Sequence, residues 1–370
     1  MDRFEGSYDK SISRAARAAV KDVLAVRKGE RILVITNPGK EVRELSMAVH
    51  DSALDVGAEP TIIFQGEKGQ FDFAEEEVIK AMSAGAPIMI SLSSDKLGKD
   101  RFGMTHGYKG KRRYDHIFDK LYEEKKIRGF WSPSTTKDMF RRTVPIDYRR
   151  LRSDCAKVAK SLEGADSVRV TAPGGTDVTI GLKGRKARSD DGDFRRPGLA
   201  GNLPSGEVYV SPALGTMNGT IAFDGSIVLH KGEIVIRRPI MAEVRGGFVR
   251  SISGGSEAAK LEESVKLGET KAREKGRKGE LKSSLVEEYA RNARSIGELG
   301  IGLNRSARIT ANMLEDEKVY GTCHFAIGAN YDGDAEAMIH MDGIVKKPTI
   351  VVRRSGKDRP LMVGGRLVWD

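Results

Sequence analysis

Six histidines occur in the chain, and two of them, His324 and His340, lie sixteen residues apart inside apolar, strand-like runs. His340 and Asp342 are two positions apart, so a strand carries both side chains on one face. An imidazole nitrogen and a carboxylate oxygen presented that way can bind one cation. Glu207 opens the alternating run Glu207-Val208-Tyr209-Val210, and Glu298 sits between Gly297 and Leu299-Gly300-Ile301. A carboxylate buried in such a run is costly unless it is paired or bound to metal. Two Glu, two His and one Asp suit a divalent ion such as zinc, cobalt or manganese. Five ligands exceed one tetrahedral site, and a pair of ions about 3.5–4 Å apart uses them better. Each residue also has a plainer reading: His324 as a hydrogen-bonded core histidine, Glu207 as a turn cap, Glu298 as a surface partner of Arg294. No H-E-x-x-H helix is present.

The elements that must position these residues change character along the chain. Up to about residue 165, short apolar runs such as Arg31–Thr36, Pro60–Phe64, Pro87–Ser91 and Ile127–Trp131 alternate with helical patterns over 8–27, 41–56, 73–83 and 114–126. Repeated strand–helix–strand units predict an open parallel sheet with helical crossovers. From Ser167 the pattern becomes alternating, and Gly174-Gly175 reads as a hairpin turn between Ser167–Thr171 and Thr176–Ile180. Further strands are expected at Glu207–Val210, Ser226–Leu229, Glu233–Ile236 and Phe248–Ile252. A charged helical stretch at 257–293 interrupts them, and Gly268, Gly276 and Gly279 argue against a single straight helix. The expected fold class is α/β. An open parallel-sheet α/β domain over 1–165 precedes a β-rich α+β domain over 166–370 that carries the metal site. No internal repeat is visible.

Composition removes several classes. Of 370 residues, 39% are apolar and 31% charged, which supports a packed core rather than a disordered chain. The 42 glycines have no three-residue period, and no apolar run reaches membrane-spanning length. The polar start, Met1-Asp2-Arg3-Phe4-Glu5-Gly6, lacks a signal-peptide core, so a cytoplasmic protein without a membrane partner is expected. Cys155 and Cys323 are too few for a disulfide scaffold or a zinc ribbon. Asn37-Pro38-Gly39-Lys40 follows the first strand where a dinucleotide-binding loop would place G-x-G-x-x-G. The net charge of +11 includes basic clusters at Lys109 to Arg113, flanked by Tyr108 and Tyr114, and at Arg149 to Arg152. Both charge signs are abundant, so a solvated surface is the expected reading and nucleic acid is not the expected partner. His50, His106 and His116 have no ligand-spaced companions.

Four segments resemble those of the aminopeptidase T and aminopeptidase S metallopeptidase family, and they occur in the same order. They are Asn202-Leu203-Pro204-Ser205-Gly206-Glu207-Val208-Tyr209, Glu298-Leu299-Gly300-Ile301-Gly302, Gly321-Thr322-Cys323-His324-Phe325-Ala326-Ile327-Gly328 and Ile339-His340-Met341-Asp342. The resemblance implies a homodimeric metallo-aminopeptidase that removes N-terminal residues from peptide substrates. Glu207, Glu298, His324, His340 and Asp342 would then hold two divalent ions. Glu298 would move the water's proton, and Tyr331, seven residues after His324, would donate to the oxyanion. The short, acidic segment between the two histidines, with Asp332 and Asp334, departs from the family pattern. The same scaffold also resembles a ring-cleaving dioxygenase for dihydroxypyridines, for which His324, His340 and Asp342 around one Fe(II) suffice. A non-catalytic basic nucleic-acid-binding protein is the third class. Counting metal ions separates the first two, and steep salt dependence with indifference to chelator marks the last.

Overall fold

The structure, a computed structural model, describes residues 3–4, 8–69 and 71–370. Met1, Asp2, Glu5 and Gly6 of the polar start lie outside the described residues. The architecture is α/β, with one parallel sheet and two large antiparallel sheets. The chain divides into two compact units, Met1–Arg149 with Gly192–Ser205, and Arg150–Asp191 with Gly206–Asp370.

In the first unit, Arg31–Thr36, Glu59–Phe64, Ile88–Leu92 and Arg128–Ser132 form a parallel sheet, and Ala200–Asn202 adds a fifth strand beside Gly129–Trp131. The apolar runs become strands because both faces are covered. Ile88–Leu92 is buried along its whole length, as a strand between crossover helices must be. Leu33, Ile35 and Met89 pack with Val78 and Met82 of the Glu76–Ser83 helix and with Ile117 and Leu121 of the Ile117–Glu123 helix. The first helix runs Lys10–Ala18 and widens into a π turn over Ala19–Val23, and its expected inward positions Ile12, Ala16, Ala19, Val23 and Leu24 are all buried. His116 is the N-cap of the Ile117–Glu123 helix, its Nδ1 accepting from the Phe118 amide at 3.1 Å.

In the second unit the Gly174-Gly175 hairpin forms as expected, pairing Ser167–Thr171 with Asp177–Gly181 in an eight-stranded sheet. The other sheet has seven strands. Its centre runs from His340–Lys346 through Thr322–Gly328 and Ile296–Gly302 to Glu207–Val210 and Arg188–Asp190. The charged stretch is not a single helix, as its glycines suggested: it runs over Ser256–Arg277, breaks, and resumes over Val286–Asn292. Gly268 and Gly276 lie where a side chain would run into Ile339 and Val286, and the helix ends just before Gly279.

The two units follow a different line from the 1–165 and 166–370 division. The Tyr148–Leu162 helix is held from the second unit: Asp154 accepts from the Trp369 indole at 3.2 Å, and Arg354 donates to the Ser161 carbonyl at 2.9 Å. Among the described residues, no helix is long and apolar enough to cross a membrane.

Candidate metal centre

Strand register brings the expected residues together. Glu207 pairs with Gly302 and Tyr209 with Gly300 across one strand boundary. Gly300 pairs with His324 and Glu298 with Ala326 across the next, where a bulge at Gly297 resets the alternation. Ala326 then pairs with Asp342, and Gly328 with His340. Side chains two apart on a strand share a face, and so do directly paired residues. Glu207, Tyr209, Glu298, His324, His340 and Asp342 therefore rise from one face of the sheet. The glycines between them clear the space. A Cβ at Gly300 would stand 2.0 Å from His324 Nε2, so no larger residue fits opposite that imidazole.

His324 Nε2 lies 3.2 Å from Glu298 Oε1 and 3.3 Å from Glu207 Oε2. His340 Nε2 lies 3.5 Å from Glu298 Oε2 and 3.4 Å from Asp342 Oδ1. The Glu298 carboxylate thus sits between the two imidazoles. His340 Nδ1 donates to the Ala329 carbonyl at 2.9 Å, which turns Nε2 and its lone pair toward the carboxylates. Glu207, Glu298, His324 and Asp342 are buried, and His340 is partly so.

Two groups with no residue in common could each hold an ion: Glu298, His340 and Asp342 on one side, and Glu207, Glu317 and His324 on the other. They differ in one respect. Lys318, with a side chain wholly buried, places its Nζ 2.7 Å from Glu207 Oε1, against Glu317 Oε1, and 3.6 Å from Asp190 Oδ2. An ammonium already neutralises that side. Sequence reading missed Glu317, Lys318, Asp190 and Tyr209. Tyr209 shares a face with Glu207 by simple alternation and was within reach. The Glu317-Lys318 pair follows a one-turn helix, Met313–Asp316, and Asp190 ends a three-residue strand, so neither carries a pattern.

The electrostatics favour a cation beside the two imidazoles. Burial alone would lower His324, but the Glu298 hydrogen bond and the charges of Glu207, Glu298 and Asp342 outweigh it and push the imidazole up to about 9. His340 rises well above its ordinary value for the same reason, Asp342 contributing most against burial. Burial would raise Asp342, yet His340 draws it down to about 2. Glu298 is also lowered against burial, by both imidazoles, whereas burial raises Glu207 and brings Glu317 up to about 8. Imidazoles set among carboxylates in this way offer the nitrogen and oxygen donors that a metal ion takes. Asp342 Oδ1 is buried without a hydrogen-bond partner, so donor capacity remains for such an ion. The residues present fit a metal.

Tyr331 stands at the mouth, 46% exposed, its ring 5.0 Å from the His340 ring and edge-on to Tyr209 at 5.2 Å. Arg188 and Arg185 each hold Asp332 at 2.9 Å, pinning the loop that carries Tyr331. The acidic character of that loop is therefore consumed by arginine pairing. Arg294, the alternative partner for Glu298, instead binds Glu262 and Glu269.

Residues 132–355 match the family model described as NicX: 2,5-dihydroxypyridine 5,6-dioxygenase. Among solved structures, a 2,5-dihydroxypyridine dioxygenase from Pseudomonas putida KT2440 superposes with a TM-score of 0.72 at 16% identity, covering 97% of each chain. Wild-type AmpT from Thermus thermophilus gives 0.65 at 16% identity, covering 97% of this chain and 99% of that one. No curated protein sequence matches. The two structural likenesses support the aminopeptidase-like scaffold, and at this identity they speak for the fold alone. The family match overturns the expectation of peptide hydrolysis: it selects the ring-cleaving dioxygenase, the other activity the scaffold suggested.

Proposed function

The chain belongs to the 2,5-dihydroxypyridine 5,6-dioxygenase (NicX) family, and on that premise we propose that it is a ring-cleaving dioxygenase acting on a hydroxylated pyridine with one Fe(II). His324, His340 and Asp342 would hold the ion, two imidazoles and one carboxylate being the donor set of mononuclear iron oxygenases. When bound, the iron supplies the redox-active centre at which dioxygen and the hydroxylated ring meet. Both oxygen atoms enter the ring carbons as the bond between them breaks.

The observation that carries this reading is the meeting of the two imidazole Nε2 atoms at one buried carboxylate, 3.2 and 3.5 Å away, beside Asp342. The chain's own residues then have distinct tasks. The Ala329 carbonyl fixes the His340 tautomer. Glu298 is placed to accept a proton from a ring hydroxyl as the substrate settles, a general-base role. Tyr331 and Tyr209 present two aromatic rings at the mouth, against which a flat heteroaromatic substrate can stack and exclude water. Tyr331 is thus assigned to substrate binding rather than to an oxyanion.

The test is anaerobic reconstitution with Fe(II), followed by addition of 2,5-dihydroxypyridine and oxygen. Loss of the ring's ultraviolet absorbance with one oxygen consumed per ring is expected. No turnover by a protein that has bound iron would remove this substrate class. Glu298→Gln should keep the ion but slow turnover, most strongly at low pH.

A further inference from the structure

The centre contains a second group of potential ligands, two of which, Glu207 and Glu317, the proposed reaction does not use. Glu207, Glu317 and His324 offer one donor atom each within mutual reach, as a second ion would need. In the same place stands Lys318. Its side chain is fully buried, its Nζ is 2.7 Å from Glu207 Oε1 and bonded to Glu317 Oε1, and Asp190 completes the cage at 3.6 Å. The backbone there is tied down: the Lys318 amide donates to the Glu315 carbonyl at 3.0 Å, and the Lys318 carbonyl accepts from the Asn304 amide at 2.8 Å. The ammonium cannot swing away without giving up its contacts to three carboxyl groups in a site where such charges are costly to separate.

We propose that the Lys318 ammonium takes the place of a second metal ion, so that the centre holds one ion at His324, His340 and Asp342 and excludes another at Glu207 and Glu317. The inference rests on the metal-centre reading above and adds what sets the number of ions. A divalent cation on the Glu207 side would share Glu207 Oε1 with a fixed positive charge and repel it strongly at that range. Glu207 is then a partner of lysine and not a ligand. The four segments shared with dinuclear peptidases do not contain residue 318, so motif and ion count are independent.

The experiment uses the full chain, stripped with chelator and titrated with Mn(II) alone. Bound ions are counted by elemental analysis after gel filtration, and affinity is read by calorimetry. The wild-type protein should bind one ion per chain. Glu207→Gln should also bind one. Lys318→Met should bind two, the pair giving the spin-coupled electron paramagnetic resonance signal of neighbouring manganese ions. Two ions in the wild-type protein would overturn the inference while leaving the metal centre in place. So would a folded Glu207→Gln that binds none, or a folded Lys318→Met that still binds one. Should Lys318→Met fail to fold, the first two measurements decide. No bound ion in the wild-type protein would remove the centre and this inference with it.

Discussion

The strands Ile88–Leu92 and Ile296–Gly302 are both buried from end to end, and they are built from opposite materials. Ile88–Leu92 in the parallel sheet presents isoleucine, methionine and leucine to its covering elements, and its one polar side chain, Ser91, bonds to Ser93 at 3.0 Å. Ile296–Gly302 in the seven-stranded sheet is equally buried, yet one face consists of Glu298 and glycines. Burial stabilises the first strand directly, through apolar area removed from water. In the second, burial costs free energy that ion pairs and hydrogen bonds must offset, and a metal ion would offset it further. A strand can thus be central because it packs well or because it holds a charge where water cannot reach. The side chains, not the degree of burial, tell the two apart.

Substitutions that separate these roles should differ in kind as well as size. The largest effect on activity is expected for His340→Ala, which removes one imidazole from the centre. Bound iron and ring cleavage should both fall below detection while the circular dichroism spectrum stays native, since the residue is only partly buried. Retained iron at one ion per chain would break the assignment.

Two glycine substitutions sharpen the contrast. A Cβ at Gly300 meets His324 Nε2 at 2.0 Å, and one at Gly129 meets the Met89 carbonyl oxygen at 1.8 Å. Both crowd a neighbouring strand. Gly300→Ala should displace the imidazole and weaken metal binding by about 10–100-fold, as loss of ligand orientation does. Gly129→Ala should lower stability by about 1–3 kcal/mol, the usual cost of overpacking, with the metal count of the folded fraction unchanged. Equal effects of the two on metal affinity would show that Gly300 is ordinary packing. Ile90→Ala belongs with the second class, at about 2–5 kcal/mol in urea unfolding and no change in ion stoichiometry.

What could be read from the residues follows the same division. Apolar runs of five or six residues announced the parallel sheet, because a strand covered on both faces has no other composition available to it. The H-x-D spacing of His340 and Asp342 announced one face of the site, because strand alternation is local. Register is not local. The pairing that places Glu207 beside His324 depends on contacts 117 residues apart in the chain, and it was legible only through motif resemblance. Ala200–Asn202, three residues without an apolar run, joined the parallel sheet unannounced. The activity was misjudged for a related reason. The ligating positions serve two chemistries on one scaffold, and the group proposed to decide the ion count, Lys318, sits in no motif.

The smallest expected effect tests the parallel-sheet side alone. Arg128, almost fully buried, donates through Nη1 and Nη2 to the Glu30 carboxylate at 3.0 and 2.7 Å, and through Nε to the Leu24 carbonyl at 3.1 Å. Burial raises the Glu30 pKa, but the Arg128 and Arg27 contacts outweigh it, so the carboxyl titrates below its ordinary value. A depressed carboxylate contributes stability that is present above its unfolded pKa and is lost as pH falls through the folded value. Glu30→Gln keeps one acceptor oxygen and removes the charge, so at pH 7 it should cost about 1–2 kcal/mol in urea unfolding. The gap between wild type and variant should close as pH drops below the ordinary range of glutamate, because the wild-type protein then loses the same charge. A gap that stays constant across that range would mean that shape, not charge, holds Arg128. The buried ion pair of the first unit would then share nothing with the electrostatics of the second.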